Sequence, residues 1–179
     1  GLQAGKKTFI GRFRAISESD DFLNWSEPVE ILGTDDDDPP DFEWYNNTGF
    51  RYGSQYLGWG AAYHPATTDA IDVQLISSRD GLNWERCFDR SPIIPTGVLD
   101  RDWDGGWISM PTSPPVRVGD KLYIHYSGSW SPHGTRFKET APVRLGVSGT
   151  AIGLATLRVD GYVSLRAGNA AGKIVTQPF

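Results

Sequence analysis

The chain has 179 residues, 39% apolar and 12% aromatic, a balance that fits a folded protein with a core of its own rather than a disordered segment. Its 17 basic and 22 acidic residues leave a net charge of −5 with Lys and Arg scattered, which argues against nucleic acid and favours a neutral ligand. No run approaches the roughly 18 apolar residues a membrane helix needs and no charged-then-apolar leader opens the chain, so neither a membrane partner nor a targeting segment is expected.

In chain order, the first readable element is a hairpin in residues 8–32 whose turn is Ser19-Asp20-Asp21-Phe22-Leu23-Asn24-Trp25. In such a turn the Asp caps backbone N–H groups and the Trp packs back over the sheet. The run Asp35-Asp36-Asp37-Asp38 reads as a solvated or cation-binding loop. It leads through Pro39-Pro40 into Asp41-Phe42-Glu43-Trp44-Tyr45-Asn46-Asn47, a strand. Phe50–Leu57 places Gly53 and a polar residue between β-formers, the signature of a two-residue hairpin, and Val116–Tyr123 does the same around Gly119. Between them, Ser78-Arg79-Asp80-Gly81-Leu82-Asn83-Trp84 aligns without gaps on the first turn in the pattern S-x-D-x-L-N-W. The single cysteine, Cys87, follows it and reads as a small packing residue. It cannot form an internal disulfide and leaves the compartment undetermined. A second loop rich in acids and aromatics, Asp100-Arg101-Asp102-Trp103-Asp104-Gly105-Gly106-Trp107, precedes the second glycine hairpin. A buried strand, Ile152–Leu157, then enters a weaker third copy of the Asp turn at Arg158–Ser164.

The two hairpin types alternate, so each unit reads as strand, glycine turn, strand, loop, strand, Asp turn, strand, which is one propeller blade. The fold class is therefore all-β. It is a partial β-propeller of about two and a half four-stranded antiparallel blades, with a half blade at 8–32, a blade at 42–95 and a blade with an insertion at 105–168. Propellers close with about four to eight blades, so a five-bladed ring is expected to be completed by further chain or by copies associating as a homo-oligomer. No segment keeps a 3.6-residue apolar period, and 21 Gly and 12 Pro punctuate the chain, so helix content should be very low.

The innermost strand of each blade lines a propeller's channel, which makes the two acidic strand entries the candidate site. Glycosidic bond cleavage needs two carboxyl groups flanking the bond, and Glu43 and Asp104 are the chosen pair. Asp41, Trp44, Tyr45, Trp103 and Trp107, with Trp130 nearby, suit sugars because aromatic faces stack on a pyranose while acids bind its hydroxyls. Structural readings stand beside these: Asp104 before Gly105-Gly106 also suits a plain turn. His64 and His133, at loop mouths, could hydrogen-bond a sugar hydroxyl, whereas His125 reads as packed. No zinc spacing, phosphate loop or nucleophile elbow is present, so no metal or cofactor is expected.

With those residues in view, the chain resembles the five-bladed propeller glycosidases of glycoside hydrolase families 32, 43 and 68, especially the family-32-like bacterial proteins. The resemblance runs through Glu43–Asn47, Tyr56–Gly58, Asp72–Trp84, Trp103–Gly106 and Ile152–Leu165. The Asp turns also look like the Asp boxes of sialidases, which mark a fold and not a reaction. The resemblance implies three channel acids from successive blades: a base or nucleophile, a transition-state stabiliser and a general-acid Glu. The last maps onto Glu43, and the N-terminal Asp motif of these families does not occur in this sequence. Residues 165–179 resemble the exit toward a β-sandwich. Two functions follow as expectations: a carbohydrate-binding, glycoside-hydrolase-like propeller segment, or a non-catalytic module kept for sugar binding or assembly.

Overall fold

The structure is a computed structural model that describes residues 11–87, 89–109, 111–134 and 149–175. Residues 8–10 of the first expected hairpin and 135–148 of the 105–168 unit lie outside the described residues. The architecture is all-β, with three antiparallel sheets among the described residues, none of them closed on itself, arranged as a partial β-propeller.

The first sheet pairs β1 (Arg14–Ile16) with β2 (Val29–Leu32). The second runs β3 (Glu43–Tyr52), β4 (Gln55–His64), β5 (Ala70–Ser78), β6 (Trp84–Arg86), with β7 (Pro92–Ile94) also along β5. The third places β8 (Trp107–Ser109) and β9 (Val116–Val118) along one edge of β10 (Lys121–Ser129) and β11 (Thr150–Arg158) along the other. The glycine turns are two-residue hairpins: Tyr52 pairs with Gln55 and Val118 with Lys121. Gly53 and Gly119 supply the positive φ, +60° and +62°, that the first loop position of a type II′ turn requires.

The alternation along β4 explains how the second sheet serves two cores. Leu57, Trp59, Ala61 and Tyr63 point to one side and join Phe50, Ile71, Val73, Ile108 and Ile124 between the second and third sheets. Gly58, Gly60 and Ala62 point to the other, where Trp44, Phe42, Leu32 and Ile76 form a smaller core against the first sheet. The glycines there are spatial necessities. A Cβ on Gly60 would lie 2.4 Å from the Trp44 ring, and one on Gly49 would lie 2.6 Å from Trp84.

Both Asp turns form the expected cage. Asp80 accepts from the N–H of Leu82 at 2.9 Å and of Asn83 at 2.8 Å, and from the Asn83 amide at 2.7 Å. Asp21 does the same with Leu23 and Asn24 at 2.8, 2.7 and 2.7 Å. These bonds to the ionised form hold both carboxyls well below the usual carboxylate range.

Two expectations need correction. No strand follows the third Asp turn among the described residues, so the four strands of the third sheet, β8, β9, β10 and β11, all precede it. The Asp160 carboxylate accepts the Tyr52 hydroxyl at 2.7 Å instead of caging its own turn. Tyr162 packs edge-on to Tyr52 and tilted over Trp59, sealing the core between the sheets. His125 is exposed rather than packed, because it points to the face of β10 opposite the core residues Leu122 and Ile124.

Asp35, Asp36 and Asp37 are exposed, as in a solvated loop, but the run is also an ion-paired strap anchored by Asp38. Asp38, with a side chain only 3% exposed, pairs with Arg86 and, at 3.0 Å, with Arg90; Asp35 takes Arg90 at 2.7 Å. Arg86 also meets Gln74 at 3.0 Å and lies across the rings of Phe42 and Trp44.

Candidate functional site

The entries of β3 and β8 and the exits of β4 and β10 lie at the same ends of their sheets, which follows from the antiparallel register. Glu43 is the first residue of β3 and pairs with Tyr63. A bulge between Trp44 and Asn46 then offsets Tyr45 from the ladder, and Tyr45 packs with the larger core beside Tyr63. Trp107 opens β8.

Loop contacts draw these residues into one cluster. Asp69, in the turn between β4 and β5, accepts the Tyr63 hydroxyl at 2.8 Å and the Gly134 N–H at 2.7 Å. Its backbone carbonyl takes the His133 N–H at 2.8 Å. The loop after β10 is thereby tied to the second sheet, and His133 sits among Tyr45, Tyr63 and Trp107 with ring centroids 4.7, 5.2 and 5.5 Å away. Its Nε2 lies 3.0 Å from the Tyr45 hydroxyl. Burial lowers the His133 pKa below the ordinary histidine value, so the imidazole is neutral at pH 7. Burial and the Asp69 bond push Tyr63 up to about 12.

Arg12 completes the cluster. Its guanidinium lies over Tyr45 at 4.7 Å and Tyr63 at 5.6 Å, with Nε 3.5 Å from Glu43 Oε2. The Arg12 side chain is 51% exposed and that of Glu43 16%, so the pair stands at the rim with the aromatic rings beneath it. The carboxylate can accept and the guanidinium donate to adjacent hydroxyls of one ligand, while Tyr45 and Trp107 offer apolar surface.

Four of the residues read from the sequence therefore come together: Glu43, Tyr45, Trp107 and His133. The others are placed differently. Trp44 is fully buried and donates its indole N–H to the Gly33 carbonyl at 2.8 Å. Asp41 caps the turn after β4, accepting from Ala66 and Thr67, with His64 beside it at 3.9 Å and edge-on to Phe42. Asp104 accepts the Tyr126 hydroxyl at 2.8 Å, and Trp103 stacks on Tyr126 at 5.7 Å over Gly128 and Gly153. No contact joins Asp104 to Glu43 among the described residues. Trp130, just past β10, is partly buried.

Arg12, Tyr63 and Asp69 were not singled out from the sequence. Arg12 lies outside both acidic strand entries, and Asp69 lies in the loop after β4, away from both of them. A cavity of about 510 Å³ opens elsewhere, between β2 and β6, lined by Glu30, Leu32, Trp84, Arg86 and Arg90. Its two arginines are already committed to the acidic strap.

No protein family model and no curated protein matches the chain. Among solved structures it is similar to an N-acetylgalactosamine deacetylase from F. plautii in complex with blood group B trisaccharide. That match has 20% identity and a TM-score of 0.55, over 86% of this chain and 45% of that one. It shows a shared fold. Two further structures, a BT0996 RGII complex and a glycoside hydrolase, align at 18% and 17% identity with TM-scores of 0.44 and 0.43. Each alignment covers 62% of this chain and 31% of the other. The chain thus spans less than half the length of each of these structures.

Proposed function

We propose that this protein binds carbohydrate at the rim formed by the entries of β3 and β8. The observation that carries the reading is the Glu43–Arg12 pair mounted on Tyr45 and Tyr63, a donor and an acceptor side by side above aromatic rings. Such a pair suits adjacent hydroxyls of a neutral sugar, because its own charges balance. The fold shared with a deacetylase captured with a trisaccharide supports the same ligand class. In this reading His133 and Trp107 form the far wall, with the neutral imidazole held by Tyr45.

Hydrolysis asks for more than binding. It needs a second carboxyl across the scissile bond, and Asp104 is hydrogen-bonded to Tyr126 while Asp69 is held by Tyr63 and Gly134. Glu43 as general acid, and membership of the family 32, 43 and 68 group, therefore belong to this proposal together with a second acid from further sheets or another copy.

Glu43→Gln should weaken binding at least tenfold in calorimetric titration against a panel of neutral oligosaccharides, with an unchanged melting temperature. Unaltered affinity would remove Glu43 from the site. Turnover of aryl glycosides by the wild type, lost in the same variant, would add catalysis to the binding role; binding without turnover favours the non-catalytic module.

A further inference from the structure

The two Asp turns are twins in sequence and hydrogen bonding, yet their tryptophans meet different fates. Trp84 folds back across its sheet. Its ring lies where Cβ atoms on Gly49 of β3 and Gly58 of β4 would be, 2.6 and 3.0 Å away, and its indole N–H donates to the Gly81 carbonyl at 2.8 Å. β3 and β4 are the two strands on the far side of β5, so the seat of Trp84 is a glycine-bearing hairpin added to the edge of β5.

Trp25 has no such seat among the described residues. It is 56% exposed, meets the edge of Phe22, and is flanked by Phe22 at 80% and Leu23 at 83% exposure. The strand equivalent to β5 is β1, which pairs with β2 and no other described strand. The backbone at the turn is nevertheless set for the same arrangement: Phe22 holds φ at +60° where its twin, Gly81, holds +81°.

We propose that the edge of β1 left unpaired among the described residues, with Trp25 above it, is a docking site for a β-hairpin of the β3–β4 kind. That partner would be two antiparallel strands, the second in chain order, equivalent to β4, adding to β1 by backbone hydrogen bonds, with glycine at the two positions beneath the indole. Backbone pairing supplies affinity and the glycines supply selectivity, because any side chain there collides with the ring. The inference rests on the internal repeat and not on the carbohydrate reading.

The probe is a cyclised, dye-labelled peptide with the sequence of residues 42–64 of this chain, which contains Gly49 and Gly58, its strand content verified by circular dichroism. Titration of the intact protein, followed by fluorescence anisotropy, should show saturable binding. Trp25→Ala in the protein should weaken it at least tenfold, and so should Gly49→Val with Gly58→Val in the peptide. Because Trp25 is exposed, its replacement leaves the fold intact. A folded peptide that fails to bind, or that binds Trp25→Ala as well as wild type, overturns the proposal.

Discussion

Asp38→Ala should destabilise the protein by about 3–5 kcal/mol, the range for removing one partner of a buried ion pair. The cause is what remains behind. The Arg86 side chain is 9% exposed, wedged over Phe42 and Trp44 between the first two sheets, and Asp38 is its carboxylate partner. Without Asp38 the guanidinium keeps the Gln74 contact, the two ring faces and the weaker pull of Asp35 and Asp72, and a largely buried cation has lost its paired carboxylate. Urea denaturation at pH 7 measures the loss. Adding Arg86→Met to Asp38→Ala should recover most of it, because the uncompensated charge and not the missing attraction makes the single variant costly. A loss below about 1 kcal/mol would mean that the pair behaves as a surface salt bridge.

Asp72→Asn should stabilise the protein at pH 8 and flatten its stability profile between pH 4 and pH 8. Asp72 lies in β5 on the face of the smaller core, opposite Ala62, and its Oδ1 is buried without a hydrogen-bond partner. Burial pushes its pKa from 3.8 up to about 7, against a weaker opposing pull from Arg86. The folded state therefore holds the proton more tightly than the unfolded chain. Asp72's contribution is fully present below about pH 4, falls as pH rises toward 7 and is gone above it. Three pH units correspond to about 4 kcal/mol. The residue keeps partial solvent contact, so an effect of about 2–4 kcal/mol is expected. Asn removes the ionisation and should gain most of that difference at pH 8, with little change at pH 4. Denaturation midpoints of both proteins at pH 4, 6 and 8 test this; parallel profiles would mean that Asp72 is ionised in the folded state without penalty.

Asp38 and Asp72 stood in different lights in the sequence. Asp38 lay inside a conspicuous acidic run, which as a sequence suggests a solvated loop. Its role depends on Arg86 and Arg90, whose approach to the loop is a consequence of sheet packing. Asp72 was only one letter of a strand. That its carboxyl faces Trp44 and Phe42 rather than water follows from the register of β5 against β4, because a one-residue change of register would turn it to the opposite face.

The candidate site divides in the same way. Glu43, Tyr45, Trp107 and His133 were legible because an acid or imidazole next to aromatics at a strand entry or loop mouth has few structural uses. Asp41, Trp44, His64, Trp103 and Asp104 carried the same local signal and yet serve turns and cores. Local sequence does not tell which face of a strand meets a neighbouring sheet. Arg12 gave no signal, since its partners lie some thirty residues further along the chain or more.

What the amino-acid sequence determined by itself was the grammar of the fold. Asp cages and glycine hairpins depend on residues within a few positions of one another, so these turns and the all-β class could be read without knowing what packs on what. Tertiary structure alone decided which tryptophan is seated, which acids are paired and which four of the candidate residues meet. Those outcomes depend on sheet faces brought together across long stretches of chain, where the controlling term is the removal of side chains from water and not any local preference of the backbone.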